Sequence, residues 1–150
     1  MEAERQSPRL AMEGVYDRMA HGFGAYFDRE KIDARPGRPV IDLIALLPMV
    51  EFSPDTLGLG EGVLFRQQQF PSLRSPNGLA PRCFPQVYLD GVLFAPGGEF
   101  PSRLDRVFLD HIEAIEVYVS RAFLPGRFNG VHSRCGTIVL WSRGEREDYP

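Results

Sequence analysis

Apolar positions along the chain switch repeatedly between helical and alternating spacing, and each run is short. Val40, Leu43, Ile44 and Leu47 fall at i, i+3, i+4 and i+7, which places one apolar stripe on a helix. Pro39 suits the first turn of that helix and Pro48 ends it. Just upstream, Asp28 can cap a helix over 29–35 that Pro36 and Gly37 stop. Residues 12–20 predict a short helical stretch ending at Gly22, behind a polar, frayed segment over 1–14. Strands are predicted over 63–67, 86–94, 115–119 and 137–141. Asp90-Gly91 divides the second of these into a hairpin, because glycine accepts the positive φ that tight turns require. Ser102 and Asp105 can cap a helix carrying Leu104, Val107, Phe108 and Ile112 on one face. The alternation of Ile115, Val117 and Val119 reads as a half-buried strand. Residues 51–62 and 71–81 read as loops. The order predicts a loop-rich α+β domain, a small mixed β-sheet flanked by short helices.

Composition sharpens this picture at two points. Fifteen glycines and 13 prolines among 150 residues favour irregular connections over a helical bundle. A formal charge of -3 supplies no basic field for nucleic acid. Lys31 is the single lysine; the arginines are scattered from Arg5 to Arg146, which reflects a GC-rich coding sequence better than an anion site. No stretch reaches the roughly 20 apolar residues of a membrane-spanning helix; the longest, 41–50, is interrupted by Asp42 and Pro48. The first residues show neither a basic nor an apolar region of a secretory signal, which implies a cytoplasmic chain or a signal outside this sequence.

Candidate chemistry is sparse. His21, His111 and His132 lie far apart without metal-ligand spacing, and His111 reads as a helix-terminal surface residue. Gly58, Gly60 and Gly62 make a flexible turn rather than a phosphate loop, since no helix follows. Asp90, Glu116 and His111 would form a hydrolytic set only if folding brought them into hydrogen-bond reach. The first residue of a turn accounts for Asp90, and solvated strand positions account for Glu113 and Glu116. Tyr88 and Trp141 read as sheet packing. No catalytic residue, metal ligand or cofactor is assigned, and the chain is read as non-enzymatic. Cys83 and Cys135 each precede a predicted strand, 52 positions apart. A disulfide and two buried thiols are equally compatible with that spacing.

Several segments together resemble the plug domain of TonB-dependent receptors. Cys83-Phe84-Pro85-Gln86-Val87-Tyr88-Leu89-Asp90-Gly91 is similar to the family's C-x-P-x-V-Y-L-D-G segment. Ile112-Glu113-Ala114-Ile115-Glu116-Val117-Tyr118 resembles its I-E-A-I-E-V-Y strand, and Cys135-Gly136-Thr137-Ile138-Val139-Leu140-Trp141 its closing C-G-x-I-V-I-W strand. Upstream, 22–32 resembles G-F-G-x-F-x-T-R-E-x-I and 42–48 the D-L-L-x-x-x-P helix. The likeness runs in the family's order from Gly22 to Ser142. In full receptors such a plug sits inside a barrel of about 22 strands. Here no barrel follows, no TonB box is evident, and Pro48-Met49-Val50 stands where the family has P-G-V.

The resemblance implies a plug-like fold over 22–143, with a polar, partly disordered segment over 1–21 and a charged tail over 144–150. It implies a periplasmic setting and hence a Cys83–Cys135 disulfide. It further implies a binding or structural module that docks, as an accessory subunit, on an outer-membrane receptor or larger membrane complex. Phe65, Phe70, Phe94 and Phe100 are the expected contact residues. The alternative is a small-ligand carrier or sensor using loops 51–62, 71–81 and 95–101.

Overall fold

The computed structural model describes residues 6–53, 62–65, 83–98, 101, 103–130 and 133–144. Its centre is a five-stranded sheet in the order β1-β6-β7-β4-β5. These strands are β1 (Ala25–Phe27), β4 (Gln86–Leu89), β5 (Val92–Ala95), β6 (Ile112–Tyr118) and β7 (Thr137–Ser142). β4 runs parallel to β7, whereas β1–β6, β6–β7 and β4–β5 are antiparallel. The sheet is therefore mixed, and with the short helices around it the fold is the expected α+β one. A separate two-stranded sheet joins β2 (Val50–Ser53) to β3 (Gly62–Phe65), with Val50 opposite Phe65.

Strand alternation sends side chains into two cores. Ile115 and Val117 of β6, Ile138 and Leu140 of β7 and Val87 of β4 enter the first. There they meet Ile32 of α3 (Arg29–Asp33), four apolar residues of α4 (Val40–Ile44), and Val63 and Phe65 of β3. Asp28 caps α3 as expected, its carboxylate accepting the Lys31 backbone N–H at 3.1 Å. Ala114, Tyr118, Val139, Trp141 and Tyr88 enter the second core from the other face. That face is covered by Phe128, by Leu10 of α1 (Pro8–Met12) and by Val15 of α2 (Val15–His21).

The hairpin forms where the Asp-Gly pair predicts it. Asp90 and Gly91 both take left-handed backbone, φ 52 and 86, which matches the twist of the flanking strands. Leu89 then stands opposite Val92.

Three local expectations are corrected. Over 6–14, the described part of the expected frayed segment, the chain is helical and partly buried: Ser7 caps α1, Pro8 occupies its first turn, and Leu10 is fully buried. Residues 51–53 are strand rather than loop, because pairing with β3 supplies the backbone partners they lack locally. The helix expected from Ser102 to Ile112 is two 3₁₀ turns, Leu104–Arg106 and Leu109–His111. Between them the backbone turns away to pair with 38–40: Val40 N–H donates to Val107 O at 2.7 Å, and Leu109 N–H to Arg38 O at 2.9 Å. Tertiary pairing has displaced the i→i−4 ladder there. Phe108, expected on the buried face, is 44% exposed as a result. Ser102 lies outside the described residues.

Candidate functional site

The second core is built around a carboxylate. Alternation along β6 points Glu116 toward the α1–α2 layer between Ala114 and Tyr118, and its side chain is fully buried. Four donors converge on it. Arg18 of α2 makes a forked contact, Nε to Oε1 at 2.7 Å and Nη2 to Oε2 at 2.9 Å. The Trp141 indole N–H donates to Oε2 at 2.7 Å, and the Tyr118 hydroxyl donates to Oε1. A buried carboxylate tolerates desolvation only when so satisfied. The Arg18 guanidinium also lies 5.7 Å from the Phe128 ring centroid. Its remaining terminus, Nη1, donates to Glu13 O at 2.9 Å. Burial first, and then the hydrogen bond to Glu116, push the Tyr118 phenol above its ordinary value of 10.0.

Further polar contacts fasten the same layer at its rim. Arg127 pairs with the Glu13 carboxylate at 2.7 Å and stacks over Phe128 and Trp141, 5.2 and 5.8 Å from their centroids. Arg9 reaches Ser142 O and the Asp90 carboxylate. Asp90 in turn accepts the Ser142 backbone N–H at 2.9 Å and the Ser142 hydroxyl.

Glu113 and Glu116, expected as solvated strand positions, are 2% and 0% exposed. The expectation fails because helices cover both faces of β6. Glu113 pairs with Arg29 at 3.3 Å, so the two glutamates serve different arginines on opposite faces. The set Asp90, Glu116 and His111 is divided among separate partners: Asp90 in the hairpin corner, Glu116 in the second core, and His111 exposed on a 3₁₀ turn. Tyr88 and Trp141 pack inward, at 8% and 1% exposure. His132 lies outside the described residues.

Cys83 and Cys135 are joined in a disulfide with their Cα atoms 5.3 Å apart. It sits where parallel β4 and β7 begin, Gln86 standing opposite Thr137. Of the four expected contact phenylalanines, the two that are described, Phe65 and Phe94, do not share a surface. Phe65 is fully buried in the first core, because β3 turns inward against α4, and it is removed from the contact set. Phe94 is exposed on β5, while Phe70 and Phe100 lie outside the described residues. Beside Phe94, Val92 and Leu93 are 69% and 48% exposed on the same outermost strand. Phe23 and Phe123 form a second exposed pair, ring centroids 5.1 Å apart. Sequence reading named Phe94 but missed Val92, Leu93, Phe23 and Phe123, although Val92-Leu93-Phe94 beside an Asp-Gly turn marks an apolar strand. Loops 51–62, 71–81 and 95–101 are described only over 51–53, 62, 95–98 and 101. Among the described residues no group of histidine, cysteine and acidic side chains is arranged to hold a metal, and no helix is long and apolar enough to cross a membrane.

A small mixed sheet buried between short helices, with a disulfide at the head of its parallel pair, defines a plug-like α+β module. A solved structure of the ferric enterobactin receptor PfeA, in complex with BCV-L6, shares the fold with a TM-score of 0.52 at 16% identity. That similarity covers 93% of this chain and 18% of the receptor's, so the chain spans under a fifth of the receptor's length. No family model and no curated protein matches the sequence.

Proposed function

We propose that the chain is a non-enzymatic binding module of the periplasm that docks, as an accessory subunit, on an outer-membrane receptor or larger membrane assembly. The observation that carries this reading is β5. Among the described residues it is an edge strand, presenting three consecutive exposed apolar side chains, Val92, Leu93 and Phe94, with no charge among them. Exposed edges are normally guarded by lysine, proline or a bulge, because open backbone groups recruit other strands. The register of β5 against β4 shifts by one residue between Leu93 and Ala95 and Pro96 follows, but the strand carries no charge, and so apolar an edge suits a surface covered in its working state. The plug-like fold favours an outer-membrane setting, and the disulfide favours an oxidising compartment.

The test is recovery from native outer-membrane fractions with the wild-type chain and with Leu93→Lys as paired baits. A stoichiometric membrane protein retained by the wild type and lost by Leu93→Lys supports docking through β5. Equal retention by both removes β5 from the reading. A wild-type chain recovered alone and monomeric overturns docking and leaves ligand binding by the loops as the reading to pursue.

A further inference from the structure

We propose that Glu116, Tyr118, Trp141 and Phe128 form a guanidinium-binding cleft that Arg18 occupies in cis, and that an arginine side chain of a partner can take Arg18's place. The cleft has the features that distinguish guanidinium from ammonium. Its carboxylate receives a forked, two-point contact, 2.7 and 2.9 Å, that the planar guanidinium can make and a lysine ammonium cannot. The ring of Phe128 lies 5.7 Å from the guanidinium carbon, and Trp141 N–H and Tyr118 O–H hold the carboxylate in place. The sheet and the Phe128 turn supply the carboxylate, its two aromatic donors and the ring; the α1–α2 pair supplies the occupant and the Glu13 carbonyl that accepts from its Nη1.

The occupant is also exchangeable. The Arg18 side chain is 18% exposed while that of Glu116 is wholly buried, so the cleft opens toward solvent on the Arg18 side. Arg18 is carried by a helix of seven residues following one of five. Helices shorter than about 12 residues do not persist in water by themselves, so this pair stays folded through what it touches. Of its residues Leu10 and Val15 are buried. Lifting the pair would leave the carboxylate and both aromatic donors on their strands, while the Phe128 turn would lose the Arg127–Glu13 ion pair. The cleft's chemistry does not depend on what β5 meets.

The experiment empties the cleft and refills it. Arg18→Ala leaves Glu116 buried without its cation, and Trp141, the single tryptophan of the sequence, reports on the cleft by fluorescence. The variant is titrated with N-acetyl-arginine amide and, separately, with N-acetyl-lysine amide. The expected result is a saturable change in Trp141 emission, with the arginine compound binding at least about tenfold more tightly than the lysine compound, as expected from losing one charge-assisted hydrogen bond. Adding Glu116→Gln to the variant should abolish that response. If Arg18→Ala is unfolded alone, the same titration reads recovery of the folded emission. A response that does not saturate, that is equal for both compounds, that survives loss of the carboxylate, or that is absent overturns the proposal.

Discussion

At the scale of single residues, Glu116 shows how a polar group can be both buried and stabilising. Its four donors offset a desolvation cost that would otherwise be several kcal/mol. The partners are not equivalent. Arg18→Ala leaves a buried charge unneutralised, for a cost of about 3–5 kcal/mol. Trp141→Phe removes one donor and leaves the ion pair intact, for about 1.5–3 kcal/mol from the hydrogen bond. Urea unfolding at neutral pH should therefore rank Arg18→Ala below Trp141→Phe, and the reverse order would mean that the ion pair is weak. Tyr118 adds a pH dependence of definite sign. Its folded value is raised, chiefly by burial, so the unfolded chain loses the phenolic proton first as pH climbs past 10.0. The stabilisation from this group is complete below that pH and declines above it. Wild-type stability should fall between pH 10 and 11 more steeply than that of Tyr118→Phe, and parallel curves would remove Tyr118 as the cause.

At the scale of elements, local chemistry was legible in the sequence and remote covering was not. The Asp28 cap and the Asp90-Gly91 turn are specified by residues within a few positions of one another, and both formed as expected. Gly91→Ala places a side chain on backbone at φ 86 and should cost about 1–2 kcal/mol, measured as a lowered Tm. An unchanged Tm would mean that the turn relaxes without penalty. The face that Glu116 occupies also follows from alternation along β6. What covers that face does not, because Arg18 lies 98 positions away. The same blindness to distant pairing hid β2 and turned the expected 102–112 helix into two 3₁₀ turns. The disulfide stands between these cases: the spacing of Cys83 and Cys135 allowed it, and the resemblance implied it. By linking the starts of β4 and β7 it closes a separation of 52 residues, worth about 4 kcal/mol in the chain-entropy model. Cys83→Ser with Cys135→Ser should lower unfolding free energy by that order, and reductant should then have no further effect.

At the scale of the whole molecule, the described residues cover the two faces of the sheet by different means. The first face carries α3, α4 and the β2–β3 pair, tied together by 18 buried residues among those described. The second carries α1, α2 and the turn around Phe128, with eight buried residues among those described and the ion pairs Arg18–Glu116 and Arg127–Glu13. Much of the order on that second face thus depends on an N-terminal segment that composition describes as polar. Deleting residues 1–21 removes Leu10, Val15, Glu13 and Arg18 together, uncovering Tyr88, Trp141 and the buried carboxylate. The first core and the disulfide remain, so the far-ultraviolet dichroism of the sheet should persist. The near-ultraviolet signal of Trp141 should collapse, dye binding to apolar surface should rise, and the truncated chain should self-associate in size-exclusion chromatography. A truncated chain that stays monomeric with unchanged Trp141 emission would show that the helix pair is not the cover of the second face. A wholly unfolded one would show instead that the two faces form a single cooperative unit.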